Sequence, residues 1–145
     1  MTPANFLISG CLAGIKCRFD GQHRKDRKMK ELLEKGSGVA VCPETLGGLS
    51  IPRPKAEINR GGGEDVLLGK SRVIDAAKRD VTPQMVNGAK RTLKILQRLK
   101  ISKAFLKEKS PSCGSGKICR NEKAIPGQGV TSALLRRKGI KVIPR

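Results

Sequence analysis

Phe6-Leu7-Ile8-Ser9-Gly10-Cys11-Leu12-Ala13-Gly14 sets an apolar run, a turn and a thiol within nine residues. The pattern returns at Gly38-Val39-Ala40-Val41-Cys42-Pro43-Glu44, and at Ala104-Phe105-Leu106 ahead of Ser110-Pro111-Ser112-Cys113-Gly114. Each apolar run has the length of a buried strand, and Gly or Pro beside each thiol suits a loop. Helical spacing fills the gaps between them. Lys28–Lys35 carries Met29, Leu32 and Leu33 on one side and stops at Gly36. Asp80-Val81-Thr82-Pro83 opens a longer helix, with Thr82 as N-cap and Pro83 in first helical position. Met85, Val86, Ala89, Leu93, Leu96 and Leu99 continue it to about Lys100. Gln128–Leu135 starts a last helix, ended by Gly139, before a final strand at Ile140–Ile143. Strands alternating with helices predict an α/β fold: one domain over residues 1–145, Rossmann-like, with a mostly parallel sheet and flanking helices. Parallel strands would bring all three thiols to the carboxyl edge of the sheet, where open α/β sheets bind ligands.

Between the second strand and the long helix the pattern is weaker. Pro43 through Gly63 is rich in Pro and Gly and reads as a long ordered loop, with Ile51-Pro52-Arg53-Pro54 as a stiff wall. Val66–Leu68 and Ser71–Ile74, around Gly69-Lys70, read as a small hairpin.

At 145 residues the chain can bury about 70% of its unfolded surface. There is no Trp or Tyr, and only Phe6, Phe19 and Phe105 are aromatic, so the core is aliphatic. No apolar stretch approaches the ~20 residues of a membrane span, and the first residues lack the basic and apolar regions of an export signal. The expected location is therefore the cytoplasm, where an odd set of five cysteines suits ligands or free thiols better than disulfides. The net charge is +19. Five of the seven residues Arg24–Lys30 are basic, and Lys90, Arg91, Lys94, Arg98 and Lys100 crowd one helix. Such a field attracts polyanions and points to RNA as a partner, although without Tyr or Trp there is no stacking platform for single strands. A general solubility role for the charge explains it equally well.

Cys11, Cys42 and Cys113 are too far apart in sequence for a local zinc motif. They read either as three buried structural thiols or as ligands of a metal or iron–sulfur site, and the turns beside them, with accessible backbone amides, favour the second. A cluster held by three cysteines keeps one iron open for chemistry. Cys17 reads as a packed loop thiol, a neighbour of the ligands or a fourth ligand. Cys119 could join Cys11, Cys17 and Cys113 in a four-thiolate zinc site, which is the sharpest competing arrangement. Glu44 stands two residues beyond Cys42 as a candidate acid/base, or else as a loop partner of Arg53. Ser110 and Ser112 are candidate donors to a sulfur or a carbonyl, or simple turn caps. His23, the single histidine, reads as a surface residue in a basic run.

At these residues the sequence resembles the thiouracil desulfurase (TudS-like) family. The segments that carry the likeness are Leu7–Gly14, Cys17-Arg18-Phe19-Asp20-Gly21, Val41–Leu49, Ile51–Pro54 and Leu106–Gly116. Asp80-Val81-Thr82, Asn87-Gly88-Ala89 and Gly129–Ile140 extend it over nearly the whole chain. The resemblance implies an α/β domain with a [4Fe-4S] cluster on Cys11, Cys42 and Cys113. It also implies removal of sulfur from a thiolated pyrimidine, free or in RNA, as hydrosulfide by way of a [4Fe-5S] cluster and without net redox. The family's acidic residue falls on Glu44, which would handle a proton or water, and its serine falls on Ser110, which would orient the substrate. Two departures stand out: Phe19 replaces a Tyr, and Ile118-Cys119-Arg120-Asn121 replaces an Ile-Tyr-Asp-Gly turn. A cluster- or zinc-bearing nucleic-acid-binding module without turnover is the alternative that the charge suggests.

Overall fold

A computed structural model describes residues 5–36 and 38–145. In chain order the elements are β1 (Phe6–Ser9), a 3-10 turn (Gly10–Ala13), α1 (Arg27–Glu34), β2 (Gly38–Val41), α2 (Pro43–Leu46), β3 (Ala56–Ile58) and α3 (Gly63–Leu67). They are followed by β4 (Val73–Asp75), α4 (Thr82–Leu99), β5 (Lys103–Leu106), β6 (Lys117–Arg120), β7 (Lys123–Pro126), α5 (Val130–Arg137) and β8 (Lys141–Pro144). Strands β2, β1, β5 and β8 form one parallel sheet in that order, so the expected α/β architecture is present. Alternation along β1 divides the interior. Leu7 joins Ala104, Leu106, Met85, Leu96 and Leu135 beneath α4 and α5, while Ile8 joins Leu12 and Met29 beneath α1. Burying each such large side chain contributes about 1.5–3 kcal/mol. Among the described residues no helix is long and apolar enough to cross a membrane.

The helices follow their local chemistry. The Asp26 carboxylate accepts from the Lys28 and Met29 amides and starts α1. Helix α4 begins at Thr82 rather than one residue later, because the Thr82 hydroxyl is spent on the amide of Val73 at 2.8 Å and Val81 takes the cap position. Asp80 Oδ1 accepts the Thr82 amide instead.

Two expectations need correction. Pro43–Gly63 is not all loop: Pro43 sits in the first turn of α2, with Glu44 beside it, and Ala56–Ile58 is a strand. Val66–Leu68 does not pair with Ser71–Ile74. Gly63–Leu67 is a helix opened by the Gly62 amide on Asp65 Oδ2, and β4 pairs antiparallel with the distant β3. Beyond Cys113 the chain forms the hairpin β6–β7, turning through Asn121 and Glu122, both at positive φ.

Two close approaches fix α2. A Cβ built on Gly47 would lie 1.9 Å from Gln84 O, and one on Gly88 would lie 2.0 Å from Pro43 O. The backbone of α2 therefore rests directly on the backbone of α4, with no side chain between them.

Candidate active site

The three cysteine-bearing turns leave adjacent strands, with β1 in the middle, and the register pairs Ser9 with Val41. Cys11 lies in the 3-10 turn after β1, Cys42 is the N-cap of α2, and Cys113 follows β5 in the Ser110–Gly114 turn. All three line one cavity of about 330 Å³, together with Cys17, Glu44, Ser110 and Cys119.

The thiols are not equivalent. Cys17 is buried, and its S–H faces both Cys11 and Cys42; these hydrogen bonds hold its own proton on and raise its pKa. The same bond from Cys17 is the main cause that lowers Cys11, against the opposing effect of burial. Cys42 is lowered to about 5, first by Cys17 and further by Thr45 and the Arg53 cation, again with burial opposing. Burial pushes Cys113 up, and the Ser9 hydroxyl works against it. Cys119 stands apart from this group, with Lys55 Nζ at 3.3 Å from its sulfur. The four-thiolate arrangement of Cys11, Cys17, Cys113 and Cys119 is not formed: among the described residues no three His, Cys, Asp or Glu side chains group to hold a single ion.

Glu44 and Ser110 meet in the same cavity. Glu44 Oε1 takes the Arg53 Nε–H at 3.3 Å, and Glu44 Oε2 takes the Ser110 hydroxyl at 3.3 Å. The Glu44 side chain is 15% exposed. Burial raises its pKa, and Arg53 only partly offsets that. The partnership with Arg53 that the sequence offered as the plainer reading is real, and it coexists with a place in the cavity wall. Arg53 Nη2 also donates to Cys17 O at 3.0 Å, so this one guanidinium ties the Glu44 carboxylate to the loop bearing Cys17. Ser110 Oγ accepts the amides of Ser112 at 3.0 Å and Cys113 at 2.9 Å, which shapes the turn around that thiol. Ser112 faces away, sharing a 2.7 Å hydrogen bond with Thr131. His23 Nδ1 accepts the Lys25 amide outside the cavity. Sequence reading passed over Lys55, Lys107 and Lys109, which also line the cavity; nothing local in the sequence distinguishes them from the other lysines.

The 2-thiouracil desulfurase family profile matches residues 6–145. The chain is 46% identical over 140 residues to the uncharacterized protein YbbK of Bacillus subtilis (strain 168), covering 94% of this chain and 93% of that one. It also resembles the solved structure of the [4Fe-4S]-dependent thiouracil desulfidase TudS, with a TM-score of 0.85 and 37% identity, covering 98% of this chain and 91% of that one.

Proposed function

The chain belongs to the 2-thiouracil desulfurase family, and from that premise we propose that it is a [4Fe-4S]-dependent enzyme exchanging the sulfur of a thiolated pyrimidine for oxygen. The observation that carries this reading is the sharing of one cavity by three strand-end thiols and the Glu44–Ser110 pair. The donor set suits the cofactor. Iron–sulfur clusters take thiolates, and Cys11 and Cys42 are both drawn toward that form. A cluster spreads its ligands over separate irons, so it does not require the tight grouping that a single ion needs. Cys11, Cys42 and Cys113 would hold it, with Cys17 remaining a protonated donor to the ligand sulfurs. Bound there, a [4Fe-4S] cluster supplies one iron free of protein ligands, a soft Lewis acid for the thiocarbonyl sulfur.

The reaction turns C=S and water into C=O and hydrogen sulfide, with no change of oxidation state. A proton must leave the attacking water and reach the departing hydrosulfide. Glu44 Oε2 is the group placed to carry it: burial raises its proton affinity, while Arg53 on Oε1 keeps the ionised form accessible. The Ser110 hydroxyl spends its single proton on Glu44 and holds that carboxylate in orientation, so it acts on the substrate through Glu44. Arg18, Arg53 and Lys107 offset negative charge in the cavity.

Anaerobically prepared protein tests this reading directly. It should carry about four irons and four acid-labile sulfides per chain. It should also release hydrosulfide from 2- or 4-thiouracil, with one uracil formed per sulfide. Stoichiometric zinc without sulfide, or an intact holoprotein that leaves both thiouracils unchanged, overturns it.

The charge supports a second reading, in which the pyrimidine is met within RNA. Arg18, Arg24, Lys107 and Lys109 stand around the cavity in a chain of net charge +19. Affinity for tRNA should then fall linearly on a log–log salt plot, and binding that ignores salt removes this reading.

A further inference from the structure

Most polar side chains lining the cavity are already engaged. Glu44 is held by Arg53 and Ser110, and Arg53 spends its nitrogens on Glu44, Ser50 O and Cys17 O. Lys107 Nζ donates to Glu108 O, while the Glu108 carboxylate takes the Ser115 and Gly116 amides. Half-buried Lys55 differs. Among the described residues its ammonium has Cys119 Sγ at 3.3 Å as hydrogen-bond partner, and it lies 6.0 Å from the centroid of the Phe19 ring. An ammonium has three donors and a thiol is a weak acceptor, so Lys55 keeps donor capacity for a ligand. Phe19 is the aromatic side chain that lines this cavity, and its ring centroid lies 5.4 Å from the Arg18 guanidinium as well as 6.0 Å from Lys55. A cation beside an aromatic ring, not neutralised by a carboxylate, makes a recognition wall. Arg18 Nε, also in the cavity, is buried without a hydrogen-bond partner, but that guanidinium faces the Asp20 carboxylate at 3.5 Å.

We propose that Lys55 recognises the carbonyl oxygen of the pyrimidine that is not exchanged. This inference rests on the desulfurase reading above. A thiouracil carries one carbonyl across N3 from its thiocarbonyl, whichever of the two positions holds the sulfur. With the sulfur directed to the three thiols, that carbonyl is the acceptor left for Lys55 in the same cavity. A site built to donate to an oxygen discriminates against a ring that lacks it, because the buried donor is then left unpaired. Cys119 holds the Lys55 chain in place without quenching its charge.

The test is equilibrium dialysis of the anaerobic holoprotein against uracil and against pyrimidine, which has neither carbonyl and so leaves Lys55 without an acceptor in either orientation. The wild-type protein should hold uracil about 10- to 100-fold more tightly, the usual range for a hydrogen bond to a charged group. Lys55→Met should close that gap, Lys55→Arg should keep part of it, and Cys119→Ser should leave it in place. A wild-type protein that separates the two rings by less than threefold, or a gap that persists in Lys55→Met, overturns the proposal. Neither ring is turned over, so the result stands apart from the desulfurase reading. Absence of hydrosulfide release from thiouracil by the wild-type holoprotein sinks that reading, whereas normal release with no carbonyl discrimination sinks only the role of Lys55.

Discussion

Ser110 Oγ lies 3.3 Å from Glu44 Oε2, joining the turn after β5 to the helix after β2 across 66 positions of sequence. The bond couples a group suited to proton transfer with the turn that shapes the surroundings of Cys113. Substitution of either partner should therefore have a different signature.

Glu44→Gln keeps the size and hydrogen-bonding reach of the side chain but removes its titration. It should preserve cluster absorbance and fold while slowing hydrosulfide release by about 10²–10⁴-fold, the usual contribution of a proton-transfer group. Ser110→Ala should slow turnover less. It should also shorten the life of the cluster under chelator, because the Ser112 and Cys113 amides lose their acceptor. Hydrosulfide release and the decay of visible absorbance, measured on the same samples, separate the two effects. Full rate in Glu44→Gln removes its assigned role.

Among the cysteines, Cys11→Ser, Cys42→Ser and Cys113→Ser should each abolish stable cluster binding, read as iron and sulfide per chain. Cys119→Ser should retain the full complement, since its sulfur neighbours Lys55 rather than the other thiols. Loss of iron in Cys119→Ser would return it to the ligand set.

Stability should fall in acid through Glu108. Burial raises the pKa of this carboxylate, but the amides of Gly116 and Ser115 outweigh it and leave a net lowering. A carboxyl lowered in the fold stabilises the protein above its unfolded value of about 4.3, and that contribution is lost as the pH falls through the folded value. Urea unfolding between pH 7 and pH 3 should show this loss. Glu108→Gln should cost about 1–2 kcal/mol at pH 7 and flatten the acid limb. An unchanged acid limb in the variant would assign the loss to other carboxylates, such as Asp75.

The parallel sheet and its helices α1 and α4 were legible because the period of their apolar residues is long enough to read. The helices α2 and α3 were not, since four or five residues cannot display a period. The partner of Val73–Asp75 was also hidden, because the choice of Ala56–Ile58 is a tertiary pairing that no local pattern records. The turn of the β6–β7 hairpin uses Asn121 and Glu122 where Gly would have been the clear signal. In the cavity, the strand-end position of Cys11, Cys42 and Cys113 was readable from Gly and Pro beside the thiols. Lys55 was not readable, because its setting depends on Cys119, 64 positions away.

The contact between Gly47 and the α4 backbone, and between Gly88 and Pro43 O, has a consequence for how such a protein can diversify. The gap between α2 and α4 is set by peptide groups, which are the same in every sequence, so repacking of side chains cannot widen or narrow it. Cys42 and Glu44 are carried on that invariant spacer. The rim residues Phe19, Lys55 and Cys119 are side chains on other segments, open to exchange one at a time. Substrate preference can therefore drift at the rim while the chemical frame beneath it stays still.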